Sequence, residues 1–163
     1  MNSIRTSMPL MATHEGVWDG SYQYFDADGH KTDEHRSRLI CRVLDEPDCA
    51  YHQTNHYTWA DGRTETRDFR MSWRDGRLWV DNDLISGWVS EVPVDPLHRT
   101  LMLYWVRKNE PDTYLYEMIQ TSDDGQKRSR VWQWIRDGET RLRTLIDERK
   151  VSNVWADATA PCG

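Results

Sequence analysis

Asp81, Tyr51, His35 and Arg130 are the side chains from which this sequence could build acid–base chemistry. A carboxyl group at Asp81, held among Phe69, Met71 and Trp79, is expected to have its pKa raised by desolvation, so that it exchanges a proton near neutrality. Tyr51 or Tyr116 can donate to a developing oxyanion, and the Arg130 guanidinium can hold a carboxylate or phenolate. His35 is the histidine best placed as a proton shuttle, because its strand also carries Ser37 and Leu39. Each of these groups also has a plain structural use as a hydrogen-bonded polar side chain. Glu117 joins the set if its strand faces the other way.

Other chemistries lack their parts. His52 and His56 lie four residues apart, about 13 Å along a strand, too far to share one ion, so no metal site is expected. No Gly-x-Ser-x-Gly elbow, Walker glycine loop or Gly-x-Gly-x-x-Gly run is present, and no nicotinamide, flavin, nucleotide or other cofactor is expected. Haem would need an inward axial His or Tyr. With 21 basic and 27 acidic residues, a net charge of −6 and no basic block, no nucleic-acid partner is expected. No apolar run has the length of a membrane span, and residues 1–15 lack the apolar core of a signal peptide. Three cysteines (Cys41, Cys49, Cys162) and no Asn-x-Ser/Thr sequon point to a cytoplasmic protein with reduced thiols. Cys41 and Cys49 are either neighbours on adjacent strands or small buried hydrophobes.

What must position these groups is a set of β-strands. Asp-Gly pairs recur at 28–29, 61–62, 75–76, 124–125 and 137–138, each flanked by β-prone residues. They read as hairpin turns. Between them and the other loops lie runs rich in Trp, Tyr, Val, Thr and Ile at 16–25, 35–44, 50–59, 64–73, 77–82, 86–92, 100–107, 113–121, 127–136 and 139–149. Closure removes sheet edges, so the expected fold is all-β, an antiparallel up-and-down barrel of about 8–10 strands. The barrel spans 16–151, after an N-terminal arm (1–15) that could hold a short helix and before a flexible tail (152–163).

Turn length decides which side chains share a face, since a slip of one residue exchanges the two. Three-residue loops, with a type I turn closed by a left-handed glycine, are favoured over two-residue type I′ turns. A loop at 60–62 then gathers Tyr51, Gln53, Asn55, Tyr57, Phe69, Met71 and Trp73 inside, and a loop at 74–76 adds Trp79 and Asp81. The same rule at 123–125 and 136–138 groups Tyr114, Tyr116, Met118, Arg130, Trp132, Trp134, Leu142 and Thr144. Opposite them stand Leu115, Glu117, Ile119, Val131, Gln133 and Ile135. Both faces carry apolar residues. The aromatic one is taken as interior, and the aliphatic Leu115, Ile119, Val131 and Ile135 are left for contact with a second copy in a homodimer.

Gly16-Val17-Trp18, at the head of the first strand of such a barrel, resembles the Gly-x-Trp signature of the lipocalin or calycin superfamily. The resemblance implies a cup for a small, mostly hydrophobic molecule. It also implies an arginine from a late strand packed over Trp18 at the closed end, a part that Arg143 or Arg149 could play. The absence of a signal peptide and of a disulfide pattern makes the chain more similar to cytosolic, bacterial-type members. A few members with this barrel are cofactor-free enzymes, phenolic acid decarboxylases among them.

The chain holds 9 Trp and 7 Tyr although only 37% of it is hydrophobic. Large amphipathic rings therefore serve as core and cup wall together. Tyr51, Gln53, Asn55, Tyr57, Asp81, Tyr116 and Arg130 are inward polar groups, and unpartnered they cost about 1–3 kcal/mol each. Either an internal network or a ligand satisfies them. An oxygenated aromatic or polycyclic guest fits such walls better than a fatty acid. The leading expectation is a cofactor-free lyase, isomerase, cyclase or decarboxylase. The alternative is a non-catalytic binder of a hydrophobic metabolite or pigment.

Overall fold

A computed structural model describes residues 4–158. Ten strands follow one another around a closed antiparallel barrel: β1 (Gly16–Asp26), β2 (Lys31–Glu46), β3 (Cys49–Thr58), β4 (Thr64–Arg74), β5 (Arg77–Asp81), β6 (Ile85–Glu91), β7 (Thr100–Arg107), β8 (Thr113–Thr121), β9 (Lys127–Arg136) and β10 (Glu139–Ser152). Each pairs with its neighbours in sequence, and β1 pairs with β10 to close the ring. Among the described residues no sheet edge is left to template a foreign strand. The burial alternation of one inward and one outward residue is cleanest in β8, where Thr113, Leu115, Glu117, Ile119 and Thr121 are all buried.

Two short helices, α1 (Ile4–Ser7) and α2 (Pro9–Ala12), lie at the closed end and put Ile4, Met8 and Met11 into the core. Their anchors are polar: Glu91 accepts from the Met11 N–H at 2.9 Å, and the Trp18 indole donates to the His14 carbonyl at 2.8 Å. Trp18 itself is fully buried. Arg128 of β9 lies 4.3 Å from its ring centroid and Lys150 of β10 lies 5.0 Å away. Arg143 and Arg149, expected in that place, are exposed, because Thr144, Ile146 and Glu148 are the β10 residues that point inward.

Turn geometry met expectation in two hairpins, at 27–29 and 60–62, and departed from it in three. The β3–β4 loop holds three residues, with Gly62 at φ 86° and Trp59 donating to the Arg63 carbonyl at 2.9 Å. Tyr51 therefore faces Met71 and Gln53 faces Phe69. At β4–β5 both Asp75 (φ 52°) and Gly76 (φ 77°) take the left-handed conformation of a two-residue type I′ turn. Trp73 then pairs with Leu78, and Leu78 and Val80 face inward in place of Trp79 and Asp81. Asp81 is an exposed partner of Lys108 on the outer surface. Trp79 lies outside too, its indole donating to the Arg74 carbonyl at 3.0 Å.

The β8–β9 turn is longer by one residue than expected. Ser122 donates to the Lys127 carbonyl at 2.8 Å, so 123–126 form the loop, and Thr121 pairs with Arg128. That single residue turns Tyr114, Tyr116 and Met118 outward, with Tyr116 44% and Met118 37% exposed, and turns Leu115, Glu117 and Ile119 inward. Two members of the expected dimer face are therefore core. At β9–β10 a two-residue turn (Asp137 φ 52°, Gly138 φ 78°) is compensated by a register shift between Thr140 and Leu142. Trp132 pairs with Thr144, and both face the interior. Cys41 and Cys49 are buried and unpaired with each other; Cys162 is outside the described residues.

Candidate functional site

The cup opens at the end where β1 finishes and β2 begins, and its floor is the end carrying Trp18 and the helices. A chain of buried charges crosses the lower interior. Arg130 donates to Glu117 at 2.6 Å, to Glu148 at 3.1 Å and to the Tyr22 hydroxyl at 3.0 Å. Arg128 donates to the other Glu148 oxygen and, at 2.9 Å, to the His14 ring. The Trp105 indole donates to Glu117 at 3.3 Å. All six of Glu117, Arg128, Arg130, Glu148, Tyr22 and His14 are buried. Burial alone would raise the Glu148 pKa, but Arg128 and Arg130 outweigh it and hold the carboxyl below its usual range. For Arg130, burial opposes the charge, and Glu117, Tyr22 and Glu148 more than offset that, so its pKa is raised.

Above this floor the cavity has two unlike walls. One is aliphatic, with Met71, Ile85, Val89, Leu103, Leu115 and Ile119; the other carries Gln53, Asn55, Tyr57, Arg130, Trp132 and Trp134. The space between them is narrow, about 70 Å³. The polar wall is wired along β3: Gln53 donates to Asn55 at 2.8 Å and Asn55 to the Tyr57 hydroxyl at 2.7 Å. At the mouth Tyr24, Trp59, Thr113, Arg136 and Arg141, with Asp33 and Glu110, join Tyr57, Arg67, Arg107, Trp132 and Trp134 around a second, wider hollow of about 480 Å³. Guanidiniums sit over rings there, Arg67 5.7 Å from Tyr57 and Arg107 5.9 Å from Trp134.

His35 is buried beside the mouth in a ring cluster, 4.7 Å from Tyr22, 4.6 Å from Tyr57 and 4.6 Å from Trp59. Its Nε2 lies 3.1 Å from the Tyr24 hydroxyl and its Nδ1 3.2 Å from the Arg36 carbonyl. Burial lowers its pKa, and the Arg36 carbonyl only partly offsets this, so the ring is neutral at pH 7. Tyr51 is fully buried near the floor, where desolvation and then Cys41 raise its pKa.

Of the residues expected to act on a guest, Arg130, Gln53, Asn55, Tyr57, Phe69, Met71, Trp132 and Trp134 line the cavity. Tyr51 and Trp73 pack into the core, and His35 stands in the ring cluster beside the cavity. Asp81, Trp79, Tyr114 and Tyr116 are brought to the outer surface instead. His14, Arg128 and Glu148 were not anticipated as site residues, and no local signal marks them: a charge at a strand position ordinarily reads as solvated, and their partners come from other strands. Among metal-capable groups, Asp26, Asp28 and His30 have ligand atoms within 4.8 Å of one another at the β1–β2 turn, where Asp26 already accepts from the backbone N–H groups of Asp28 and His30.

No family model matches the chain, and no curated relative does. Solved structures do. The S-type phycobiliprotein lyase CPES from Guillardia theta is similar at TM-score 0.68 and 11% identity, over 94% of this chain and 93% of its own. A DUF3598-family protein of unknown function from Nostoc punctiforme is similar at TM-score 0.64 and 16% identity, over 86% of this chain and 49% of its own, so this chain spans about half its length. Rv2717c from M. tuberculosis is similar at TM-score 0.59 and 14% identity, over 88% and 96%. At such identities the likeness is one of fold. A closed ten-stranded up-and-down barrel, Gly16-Val17-Trp18 opening β1 and an arginine over Trp18, together with these neighbours, fit a lipocalin-like calycin fold.

Proposed function

We propose that the barrel binds a flat, conjugated, acidic small molecule, a pigment in the broad sense, with its rings among the mouth aromatics. The observation that carries this reading is the sharing of Tyr57, Trp132, Trp134, Arg67 and Arg107 between the buried cup and the open mouth. A planar guest entering there meets ring faces and guanidiniums at once. The full-length similarity to a phycobiliprotein lyase supports a pigment as the guest.

Binding is favoured over catalysis by the state of the inward acids. Glu117 and Glu148 are both engaged by arginines, which leaves no inward carboxylate of the cup free among the described residues to take a proton from a guest. The acid–base reading, a cofactor-free lyase or isomerase, rests on one feature, the His35–Tyr24 contact at the mouth.

One experiment addresses both. The purified protein is titrated with linear tetrapyrroles, porphyrins, flavonoids and polyene acids, followed by absorbance shift, induced circular dichroism and tryptophan quenching, and the guest is then extracted for mass analysis. The binder reading expects a saturable shift, the guest recovered unchanged, and affinity about tenfold weaker or worse in Trp132→Ala and Trp134→Ala. No saturable binding by any of the four classes would overturn it. Conversion of the guest, lost in His35→Ala and Tyr24→Phe, would favour the enzyme.

A further inference from the structure

The outer surface of the barrel divides into two kinds. On β1–β4 and β10 the outward positions carry charge: Arg38 pairs with Asp19, His52 with Asp68, and Arg143, Asp147 and Arg149 stand exposed along β10. Over β6–β9 no outward position within 86–90, 102–106, 114–118 or 131–135 is charged. A row of rings crosses this second face. Trp79 pairs with Trp88, Trp88 with Tyr104 and Tyr104 with Tyr116, so one aromatic stands on each of four adjacent strands. Ring centroids are 6.2 Å apart for Trp88 and Tyr104 and 5.3 Å apart for Tyr104 and Tyr116. Beside the row, Val106 and Met118 are exposed, as is Tyr116 within it.

A charge-free face of Trp, Tyr and Met has the composition of the centre of a protein interface, and arginine is the charge such interfaces favour. Two arginines flank it, Arg77 4.4 Å from the Trp88 ring and Arg74 4.7 Å from the Trp79 ring. The area suits an interface too. Strands about 4.8 Å apart and rows of side chains about 7 Å apart give a footprint of about 24 Å by 20 Å over five strands and three rows. A contact between two such faces covers on the order of 1,000 Å² counted on both, the size at which specific interfaces begin.

What covers the face follows from its symmetry. Strand by strand, the residues on either side of the ring row match in kind. Trp88 lies between Ser86 and Ser90, Tyr104 between Met102 and Val106, and Gln133, in register with Tyr116, between Val131 and Ile135. On β5 Trp79 lies between Arg77 and Asp81, a cation and an anion. A two-fold axis in the plane of contact, running along the ring row, exchanges the two sides. It lays Met102 on Val106, Val131 on Ile135 and Arg77 on Asp81 of the second copy, and it lays the rings on themselves. Apolar groups meet apolar groups, and each charge meets its opposite.

We propose that the outer face of β5–β9 joins two copies of this chain about a two-fold axis along Trp79, Trp88, Tyr104 and Tyr116. Five of the ten strands span half of the barrel wall, so β6–β8 form the centre of the contact and β5 and β9 its rim. Arg77 and Asp81 belong to that rim, where a charge pair fixes alignment more than affinity. The longer β8–β9 turn, which takes Leu115 and Ile119 out of the expected dimer face, supplies Tyr114, Tyr116 and Met118 in their place. The contact lies outside the cup, so the inference is independent of what the cup holds.

The test is sedimentation of the full chain by analytical ultracentrifugation from about 1 to about 100 µM, a range that covers the weak end of interfaces of this size. The parent is expected to pass from monomer to dimer within it. Tyr116→Lys and Met118→Lys put an ammonium into the centre of the contact from exposed positions, and each is expected to weaken the dimer at least about tenfold while the fold, checked by circular dichroism, is kept. Arg77→Asp sets carboxylates of the two copies against each other and is expected to weaken the dimer at least about threefold. Adding Asp81→Arg reverses the pair and is expected to recover most of that loss.

A parent chain that stays monomeric up to about 100 µM would overturn the proposal. So would a dimer that persists unweakened in folded Tyr116→Lys and Met118→Lys, because it would place the contact on another face. An Arg77→Asp dimer as tight as the parent, or one that Asp81→Arg fails to recover, would overturn the two-fold alignment and with it the choice of a second copy. None of these outcomes bears on the pigment titration, which reads the cup.

Discussion

Arg130 and Glu117 meet at 2.6 Å inside the barrel, each almost wholly removed from water. Charges so placed survive only because each has a partner and further hydrogen bonds, here Tyr22 and Glu148 for the arginine and Trp105 for the glutamate. Removing one side strands the other. Arg130→Met is expected to destabilise the fold by about 3–5 kcal/mol, and adding Glu117→Leu is expected to restore most of that loss. Urea unfolding midpoints of the two variants, compared with the parent, check both outcomes. A double variant as unstable as the single one would show that the arginine acts through packing rather than through its charge.

Asp81 gives the opposite expectation. It lies on the outside, paired with Lys108 across solvent. An exposed pair of that kind contributes about 0–1 kcal/mol. Asp81→Asn is therefore expected to leave both guest affinity and the unfolding midpoint close to the parent values. A large loss of binding in a folded Asp81→Asn protein would contradict the outward placement of β5.

The difference between Asp81 and Glu117 marks where sequence reasoning stops. Strand positions were legible, because Asp-Gly turns and runs of Trp, Tyr and Val punctuate the chain without reference to anything distant. The β3–β4 register was legible too, since Ala60-Asp61-Gly62 adopts the three-residue loop that its composition favours. Arg74-Asp75-Gly76 carries the same Asp-Gly pair, yet Asp75 itself goes left-handed and the loop loses a residue. Aspartate tolerates that conformation, so the dipeptide alone does not choose between the two turns. At Ser122 the choice is made by side-chain bonds, its Oγ donating to Asp124 and accepting from the Lys127 N–H. Glu117 reads as an inward acid only if its strand faces the other way, and its partner Arg130, on the adjacent strand in register with Ile119, meets it only after β8 and β9 are aligned. The buried charge chain also takes in His14, which meets Arg128 over 114 residues of chain.

Acid sensitivity should begin with the histidines. His14 and His35 both have folded-state pKa values lowered by burial, His14 with the further push of Arg128, Arg130 and Lys150. An unfolded histidine binds its proton near pH 6.5, so below that value the unfolded state takes up protons that the folded state refuses. Stability is then full above about pH 6.5 and falls as pH drops, by at most about 1.4 kcal/mol per pH unit for each histidine. Glu148 adds a second phase: its folded pKa is lowered, so its contribution is present above about pH 4.3 and is lost as pH falls through the folded value. Urea midpoints measured from pH 8 to pH 2 are expected to decline in that order. His35→Gln should flatten the first decline, and an unaltered slope in that variant would remove His35 from the account.

Gly16 tests the start of the barrel. It takes φ 126°, in the region that side chains avoid, and a Cβ built on it would come 2.3 Å from the Ser152 carbonyl oxygen and 3.2 Å from the Asn153 Cα. Both contacts are backbone, so neither can move aside cheaply. The glycine is what lets β1 approach β10 at the seam where the ring closes, two residues before Trp18 goes under Arg128. Gly16→Ala therefore combines backbone strain of about 1–3 kcal/mol with a displaced seam. It is expected to lower the unfolding midpoint by at least that strain, whereas Gly62→Ala, left-handed but with open space around it, is expected to lose only the strain. Equal losses in the two variants, read from the same urea titration, would mean that closure at the β1–β10 seam does not depend on the missing side chain.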